Sequence, residues 1–224
     1  MDVIALSNLH YRWAGQSRDT LALAELRVRK GEHLFIRGAS GSGKTTLLNL
    51  LAGILTPASG SLTILGQGLQ AMGSAARDRF RADHMGVIFQ QFNLLPYLSV
   101  LENVQLPCEF SARRKQRAGK VQASARRLLD HLGLATSLQQ RAVTGLSVGQ
   151  QQRVAVARAL IGSPEILIAD EPTSALDTDT RDGFLQLLFQ EAEAQGSTIV
   201  FVSHDPHIAG HFPRVVDLGE LNQA

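Results

Sequence analysis

The feature that most constrains this chain of 224 residues is a glycine-rich segment, Gly38-Ala39-Ser40-Gly41-Ser42-Gly43-Lys44-Thr45. It matches the pattern G-x-x-x-x-G-K-[ST] at every fixed position. The run His33–Arg37 before it predicts a strand and Thr46–Ala52 after it predicts a helix, which is the context that a phosphate-binding loop (P-loop) requires. Glycines let the backbone curl so that successive N–H groups point at phosphate oxygens, at the positive end of a helix. The segment therefore predicts a nucleoside triphosphate site.

Single positions of this loop have separate predicted roles. Lys44 supplies a positive charge for the β- and γ-phosphates, and Thr45 offers its hydroxyl to Mg²⁺. The other predicted contacts to the nucleotide come from the same stretch: Gly38, Ser40, Gly41, Ser42, Gly43 and Thr46.

Composition narrows the class of protein. With 44% hydrophobic residues the chain can bury a substantial core, and a net charge of +2 implies no strong field for a nucleic acid. The single cysteine, Cys108, excludes an internal disulfide and is expected to be a buried structural thiol. No basic region followed by an apolar run marks a signal peptide, and no stretch approaches the roughly 18 apolar residues of a spanning helix. We expect a soluble chain that reaches a membrane only through a partner.

The first third of the chain predicts a β-layer. Val3–Leu6, Leu21–Val28 and Ser61–Gly66 read as strands. Between the first two, Tyr11 and Trp13 lie beside a glycine turn. An exposed aromatic there would offer a platform for stacking a base, whereas a packed pair would cap the β-layer, and the residues favour neither.

Three later apolar runs each predict a strand that delivers polar side chains at its carboxyl end, where ligands bind in open α/β sheets. They deliver Gln90, the pair Asp170-Glu171, and Ser203-His204-Asp205. Adjacent carboxylates suit a Mg²⁺-phosphate site, because one can order the water shell of the metal while the next polarises the attacking water. His204 is better placed to contact a γ-phosphate than to form a transition-metal cluster with His207 and His211.

From Asn93 to about Ala142 the pattern becomes helical, most clearly over Lys120–Leu132. The basic run Arg113–Arg117 within it could contact acidic lipid or RNA, although such runs are more often a solvated face. Next, Leu146-Ser147-Val148-Gly149-Gln150 (the signature segment) leads into a helix for which Ser147 is a candidate N-cap. That helix start is either a second phosphate-binding surface or a capped surface helix.

Taken together, the segments GASGSGKT, LSVGQ, ILIADE, SALD and SHD, in this order along nearly the whole chain, resemble the ATP-binding subunit of an ABC transporter. The resemblance implies an α/β fold: a P-loop NTPase core with a mainly parallel sheet, an N-terminal antiparallel β-subdomain and an inserted helical subdomain. It implies a single ATPase domain over 1–224, with residues 1–90 and 159–224 as core and 91–158 as the helical lobe.

The resemblance also assigns roles to single residues. Gln90 would meet Mg²⁺ and sense a membrane partner, Asp170 would organise the metal through water, and Glu171 would be the catalytic base. His204 would contact the γ-phosphate, and Trp13 rather than Tyr11 would stack on the adenine. Asp177 would take part in communication between the two sites of a dimer. The residues that would contact the ATP of the partner subunit are Ser147, Gly149 and Gln150. Catalysis would therefore involve Glu171, His204, Lys44 and Gln90, with Thr45, Gln90 and Asp170 around the metal.

The resemblance further implies a homodimer of cassettes that closes on two ATP molecules with Mg²⁺. A transmembrane permease would hold the cassettes on the inner face of the cell membrane. Phe89–Pro96 and Leu101–Pro107 are similar to the lipoprotein-releasing and macrolide-exporting branch. This favours export or extraction of lipoprotein, peptide or drug, and a non-transporting complex for cell-division or cell-wall signalling is the alternative. DNA-repair relatives would need a long coiled-coil insertion, and translation-associated relatives usually carry two cassettes.

One position departs from the family pattern. The usual signature is Leu-Ser-Gly-Gly-Gln, and Val148 holds the place of the first glycine. If the backbone there needs a positive φ, a β-branched residue strains it and lowers ATPase efficiency. If it does not, Val148 is harmless.

Overall fold

The computed structural model describes residues 1–174 and 178–224. The strands are β1 Asp2–Tyr11, β2 Leu21–Arg29, β3 His33–Arg37, β4 Ser59–Ile64, β5 Gln67–Gly68, β6 Met85–Ile88, β7 Ile166–Asp170, β8 Thr198–Ser203 and β9 Arg214–Asp217. The helices are α1 Lys44–Leu51, α2 Ser74–His84, α3 Val100–Phe110, α4 Ala112–Ala118, α5 Val121–His131, α6 Val148–Leu160, α7 Thr178–Gln195, α8 Pro206–Ala209 and α9 Leu218–Leu221.

The chain forms two compact units. The first contains Met1–Arg81 and Thr198–Ala224, and the second contains Ala82–Ser197. Across the described residues, no helix has the length and apolar character that crossing a membrane requires.

The first unit contains an antiparallel sheet with strand order β2-β1-β4-β5. In its register Leu6 of β1 faces Leu26 of β2 and Leu62 of β4, and all three side chains are buried. Cross-strand apolar pairs of this kind fix the register, because a slip by one residue would turn them to the opposite face. The predicted N-terminal β-layer is confirmed, and β1 runs on to Tyr11.

The same unit contains parallel strands, with β3 between β8 and β9. Phe35 of β3 packs against Phe201 and Phe212 with ring centroids 5.9 and 5.3 Å away, and all three are buried. In the register, Arg37 lies opposite Ser203. The P-loop and His204 therefore leave neighbouring strands at the same edge, as the carboxyl ends of parallel strands do.

The second unit combines a parallel pair of strands with helices. Ile88 of β6 pairs with Ala169 of β7, and β7 is buried from Ile166 to Ala169. Such continuous burial accounts for its unbroken apolar sequence. Helix α6 is buried along Val154–Leu160.

The basic run of α4 is exposed at four of its five residues, as a solvated face requires, and Arg114 is the exception. Arg114 is 3% exposed and donates hydrogen bonds to the carbonyl oxygens of Met85, Ala159 and Ile161 at 3.2, 2.6 and 2.8 Å. The last turn of α6 leaves buried carbonyls without intrahelical donors, and a guanidinium with five N–H groups can serve several of them. Burial lowers the pKa of Arg114 to about 10.

The neighbouring basic side chains of this run form ion pairs. Arg113 and Arg117 contact Oε1 of Glu165 at 2.5 and 2.7 Å, and His84 contacts its Oε2 at 3.1 Å. Burial of Glu165 opposes its ionisation, but the hydrogen bonds from His84, Arg113 and Arg117 outweigh it and hold the pKa of Glu165 well below its usual range. The run therefore anchors α4 within its own unit.

Cys108 lies in α3 and is 1% exposed, as expected of a structural thiol. Burial raises its pKa, so the nucleophilic thiolate is disfavoured.

Gly86 is a position where β6 and α6 approach closely. A Cβ built on Gly86 would overlap the carbonyl of Ala159 and come within 2.7 Å of Cδ2 of Leu167. We expect Gly86→Ala to lower the free energy of unfolding by about 1–3 kcal/mol, because the backbone must shift to relieve this overlap. Urea denaturation followed by circular dichroism measures the change.

The matched control is Gly183→Ala in α7, where an added Cβ meets nothing within 4 Å. This change should raise the free energy of unfolding by about 0.5–1 kcal/mol, since alanine is the better helix former. Equal effects of the two substitutions would contradict the close approach at Gly86.

Candidate functional site

The P-loop leads directly into the start of α1. Gly41 and Gly43 have φ of 79° and 96°, in the left-handed region that favours glycine. Gly43 is the N-cap of α1, and no described side chain caps this helix or places an acid in its first turn. The positive end of its dipole therefore meets neither a capping side chain nor an acid of its own first turn, which suits a bound anion.

Two glycines of the loop have side chains close by. A Cβ on Gly38 would lie 2.5 Å from Oγ of Ser42, and one on Gly43 would lie 2.7 Å from Cδ2 of Leu21. Oγ of Ser42 is itself buried and has no hydrogen-bond partner in the described part of the chain. Because a buried hydroxyl without a partner is costly, this atom fits a site that awaits a polar ligand.

Lys44 is the charged residue of the loop. It is 8% exposed, and its Nζ donates hydrogen bonds to the carbonyl oxygens of Gly38 and Ala39 at 2.8 and 2.9 Å. The ammonium is thus held over the first residues of the loop. Thr45 is exposed while Thr46 is buried, so of the two hydroxyls only that of Thr45 is offered to solvent and ligands.

The end of β9 and the residues after it contact the residue before the P-loop and the start of β2. Arg37, the last residue of β3, donates to Oδ2 of Asp217 from Nε and Nη2 at 3.0 and 2.8 Å. The hydrogen bonds from Arg37 and from the N–H of Gly219 lower the pKa of Asp217. Asn222 accepts from the N–H of Ala22 and donates to the carbonyl of Thr20, 2.8 and 3.0 Å away.

Trp13 lies in the turn after β1 and is 41% exposed. Its ring meets that of Tyr11 edge-on, with the centroids 5.3 Å apart. A polar cleft of about 570 Å³ follows in the same turn, lined by residues 15–20 together with Gly41 and Ser42 of the P-loop. An exposed indole near this cleft is compatible with base stacking, and the assignment of adenine to Trp13 stays a prediction.

His204 follows β8 and is exposed. The next residue, Asp205, caps α8 by accepting a hydrogen bond from the N–H of His207 at 2.9 Å. Within residues 1–174 and 178–224, no three histidine, cysteine or acidic side chains are grouped so that they could hold a metal ion.

In the second unit the parallel register brings Gln90 and the two acids to one edge. Gln90 and Glu171 are each the second residue after the pair Ile88–Ala169. Gln90 is exposed and Asp170 is half-buried. Amide and carboxylate oxygens are hard ligands of the kind that Mg²⁺ prefers, and this ion takes only one or two carboxylates beside water and phosphate. The donor set therefore fits Mg²⁺.

Glu171 has an unusual backbone conformation. Its φ is 44°, which is uncommon for a residue other than glycine, asparagine or aspartate. The turn that follows is held by Gln152 of α6, whose Nε2 donates to the carbonyl of Pro172 at 2.8 Å. Strained backbone that its surroundings maintain is concentrated at functional sites.

The signature segment begins α6, and Ser147 is confirmed as its N-cap. The hydroxyl of Ser147 accepts from the N–H of Gln150, and the side chain of Gln150 accepts from the N–H of Ser147, which is a capping box. Val148 is the first helical residue, is 48% exposed and has no positive φ. Of the two alternatives left open for Val148, the structure supports the one without strain, because a helical first turn accepts a β-branched residue. Asp177 lies outside the described residues.

Sequence reasoning missed Gln152 and Arg158, which are 1% and 9% exposed on α6. A signal for Arg158 was present, because it is a charged residue inside an otherwise apolar stretch of helix, Val154–Leu160. A charge in that setting is rarely buried without a partner.

Comparisons with known proteins agree with this geometry. The sequence profile of the family described as "ABC transporter" matches residues 21–174. The chain is 41% identical over 215 residues to the lipoprotein-releasing system ATP-binding protein LolD of Chromohalobacter salexigens, covering 95% of this chain and 89% of that protein.

Another relative is much longer than this chain. The probable export ATP-binding/permease protein MacB of Pseudomonas entomophila is 40% identical over 97% of this chain, which spans 32% of the length of MacB. Among solved structures, the dimeric post-hydrolysis state of the ATP-binding cassette MJ0796 bound to ADP and Pi matches with a TM-score of 0.85 and 35% identity. That match covers 96% of this chain and 93% of the cassette.

The helical conformation of Val148 predicts the effect of restoring the usual glycine. We expect Val148→Gly to leave the basal rate of ATP hydrolysis unchanged or lower, because it relieves no strain and costs about 0.5–1 kcal/mol of helix stability. Steady-state phosphate release at saturating ATP measures this, with Val148→Ala as the control that keeps helix propensity. A faster glycine variant would contradict the structure at this position.

Proposed function

The chain belongs to the ABC transporter family, as an ATP-hydrolysing cassette of α/β fold, and we propose that it powers a separate transmembrane partner. The cargo of that partner would be lipoprotein, peptide or drug, exported or extracted at the inner membrane. The observation that carries the proposal is the P-loop with its uncapped helix start, its buried Ser42 hydroxyl and Lys44 held above it.

In this proposal the P-loop binds the phosphates of ATP. N–H groups from the loop and α1 contact phosphate oxygens, Lys44 neutralises the β- and γ-phosphates, and Thr45 offers its hydroxyl to the metal. Trp13 stacks on the adenine. The positions of these groups in the first unit favour the contacts. The indole of Trp13 and the hydroxyl of Thr45 are exposed, and hydrogen bonds constrain the ammonium of Lys44.

Hydrolysis is assigned to the strand ends. Glu171 accepts the proton of the attacking water, Gln90 and Asp170 orient the metal and its water, and His204 contacts the γ-phosphate. Mg²⁺ would be held by Thr45, Gln90 and, through water, Asp170, and it would neutralise charge on the phosphates. The left-handed backbone of Glu171 supports its assignment, because strained backbone is concentrated at functional sites and Gln152 contacts the carbonyl of the following residue.

A second copy of the chain completes the proposed cycle. Ser147, Gly149 and Gln150 contact the ATP bound by the partner subunit, and Asp177 links the two sites. The γ-phosphate supplies charge-assisted contacts to both copies, so hydrolysis opens the dimer. The dimeric state of the MJ0796 cassette supports this step. Residues 1–90 and 159–224 act as the catalytic core, and 91–158 act as the lobe that carries the signature segment.

The partner is proposed to be a permease that holds the cassette on the inner face of the cell membrane. The support comes from two relatives. LolD is named as a lipoprotein-releasing ATP-binding protein, and MacB as an export protein with ATP-binding and permease functions. Gln90 and the loop after it are the proposed site of contact with this permease.

Glu171→Gln tests the assigned chemistry. The amide cannot accept a proton from water, so we expect ATP binding to persist while hydrolysis falls by at least about a hundred-fold. The retained γ-phosphate should then hold two chains together, and light scattering after size-exclusion chromatography with Mg-ATP measures the mass. Near wild-type turnover of this variant would refute the assignment of the base.

The trapped variant also tests the membrane partner. Tagged Glu171→Gln chain is purified from detergent-solubilised membranes of the source cell with ATP present. We expect a protein with several spanning helices to elute in constant ratio to two cassettes, and to carry lipoprotein or another export substrate. If the cassettes dimerise with ATP but elute without a membrane protein from every extract, the proposed permease partner is refuted. The assignment of ATP hydrolysis to the cassette would still stand.

Trp13 is the only tryptophan, so its fluorescence reports directly on its environment. If it stacks on adenine, ATP should change its emission, and Trp13→Ala should weaken binding by about 1–3 kcal/mol. Titration with a fluorescent ATP analogue measures affinity in both forms. Tyr11→Ala is the matched control and should bind normally. If Tyr11→Ala weakens ATP binding and Trp13→Ala does not, the adenine stacks on Tyr11 instead.

A further inference from the structure

The loop that follows β6, residues Phe89–Asn93 (the Gln90 loop), has an unfavourable backbone. Phe92 and Asn93 have φ of 59° and 47°, so two successive residues other than glycine are left-handed. Phe92 is also a bulky residue, for which this conformation is a clear outlier. Such a conformation persists only where neighbouring groups hold it.

Arg158 donates hydrogen bonds to the carbonyls of both left-handed residues. The side chain leaves the last turn of α6 and donates to the carbonyl of Asn93 from Nη1 at 2.7 Å and to the carbonyl of Phe92 from Nη2. The two nitrogens of one planar guanidinium therefore fix two successive peptide units, a task that a lysine cannot perform in the same way.

The setting of Arg158 argues for this use. It is 9% exposed, and no carboxylate forms an ion pair with it in the part of the chain that the structure describes. Burial lowers its pKa, as expected for a cation removed from water. A buried cation is costly, so one whose described hydrogen bonds go to the Gln90 loop alone indicates that the position of this loop matters.

We propose that Arg158 is a positioning residue that locks the Gln90 loop to the helix of the signature segment, so that the two move together. Helix α6 begins at the cap Ser147 and carries Arg158 in its last turn. A displacement of the signature segment would thereby reach Gln90 through one rigid helix. The inference rests on the proposed function, which gives Ser147 and Gln90 their roles, and adds the part that connects them.

The chain that follows the Gln90 loop is held by a different residue, so the contacts of Arg158 are confined to the loop itself. Asn103 of α3 is fully buried, accepts from the N–H of Leu95 and donates to the carbonyls of Leu95 and Ser99, all within 3.1 Å. The chain after Asn93 is therefore held to α3. Arg158 acts on the two residues next to Gln90 and Gln91.

Amide hydrogen exchange tests the lock without any need for catalysis. The N–H groups of Phe92 and Asn93 bond within the loop, to the carbonyls of Phe89 and Gln91. We expect Arg158→Met to raise exchange at these two amides at least about ten-fold, because the loop loses both contacts. Arg158→Lys should give an intermediate rise in the exchange rate, and it replaces the methionine variant if that variant folds poorly.

The matched control is Arg153→Met on the same helix. Arg153 donates to a different loop, at the carbonyl of Gly133. Its loss should leave exchange at Phe92 and Asn93 unchanged. Unchanged exchange in both Arg158 variants, or an equal rise in the Arg153 control, overturns the inference.

Kinetics then separates positioning from general stability. Arg158→Met should lower kcat for ATP hydrolysis about ten-fold and leave affinity for a fluorescent ATP analogue within about two-fold, since the P-loop belongs to the other unit. The double variant with Gln90→Ala should be no slower than Gln90→Ala alone, because both act on one loop.

If the losses of kcat from Arg158→Met and Gln90→Ala add up in the double variant, the link between Arg158 and Gln90 is overturned. If the wild-type chain, alone or with its membrane partner, releases no phosphate, the proposed function fails instead, and the exchange result alone decides whether Arg158 holds the loop.

Discussion

Buried carbonyl oxygens without a backbone donor determine how the second unit is built. Loops and helix ends leave such oxygens exposed to the interior, and each unpaired one costs about 1–3 kcal/mol. Long polar side chains provide the missing donors. Arg114 serves the end of α6 and the carbonyl of Met85, Gln152 serves Pro172, and Arg158 serves the Gln90 loop. Helix α6 takes part in all three contacts.

The first unit solves a different problem, which is to present polar groups to a ligand. Helix α1 begins with no side-chain cap, and Oγ of Ser42 is buried without a hydrogen-bond partner in the described structure. Neighbouring residues keep the loop in this conformation. Leu21 packs against Gly43, and Asp217 holds Arg37 at the entrance to the loop.

Sequence reasoning predicted the features that local rules determine. The P-loop, the strand runs, the Ser147 cap and the burial of Cys108 depend on short patterns of glycine, apolar residues and caps. It did not predict the burial of Arg114 within an otherwise exposed basic run, because whether a basic side chain faces water or a buried carbonyl depends on where a helix end 44 residues away comes to lie. The choice between strain and no strain at Val148 likewise needed the backbone itself. Trp13 is exposed as stacking on a base requires, and its role rests on resemblance.

The buried thiol of Cys108 has a practical consequence for spectroscopy on this chain. Maleimide and nitroxide reagents react with an accessible thiolate, and the single native cysteine offers neither access nor a readily formed thiolate. The unmodified sequence therefore serves as a cysteine-silent background. One cysteine added at a surface position can carry a spin label or dye, and pairs of labelled chains can report distances without removing Cys108 from α3.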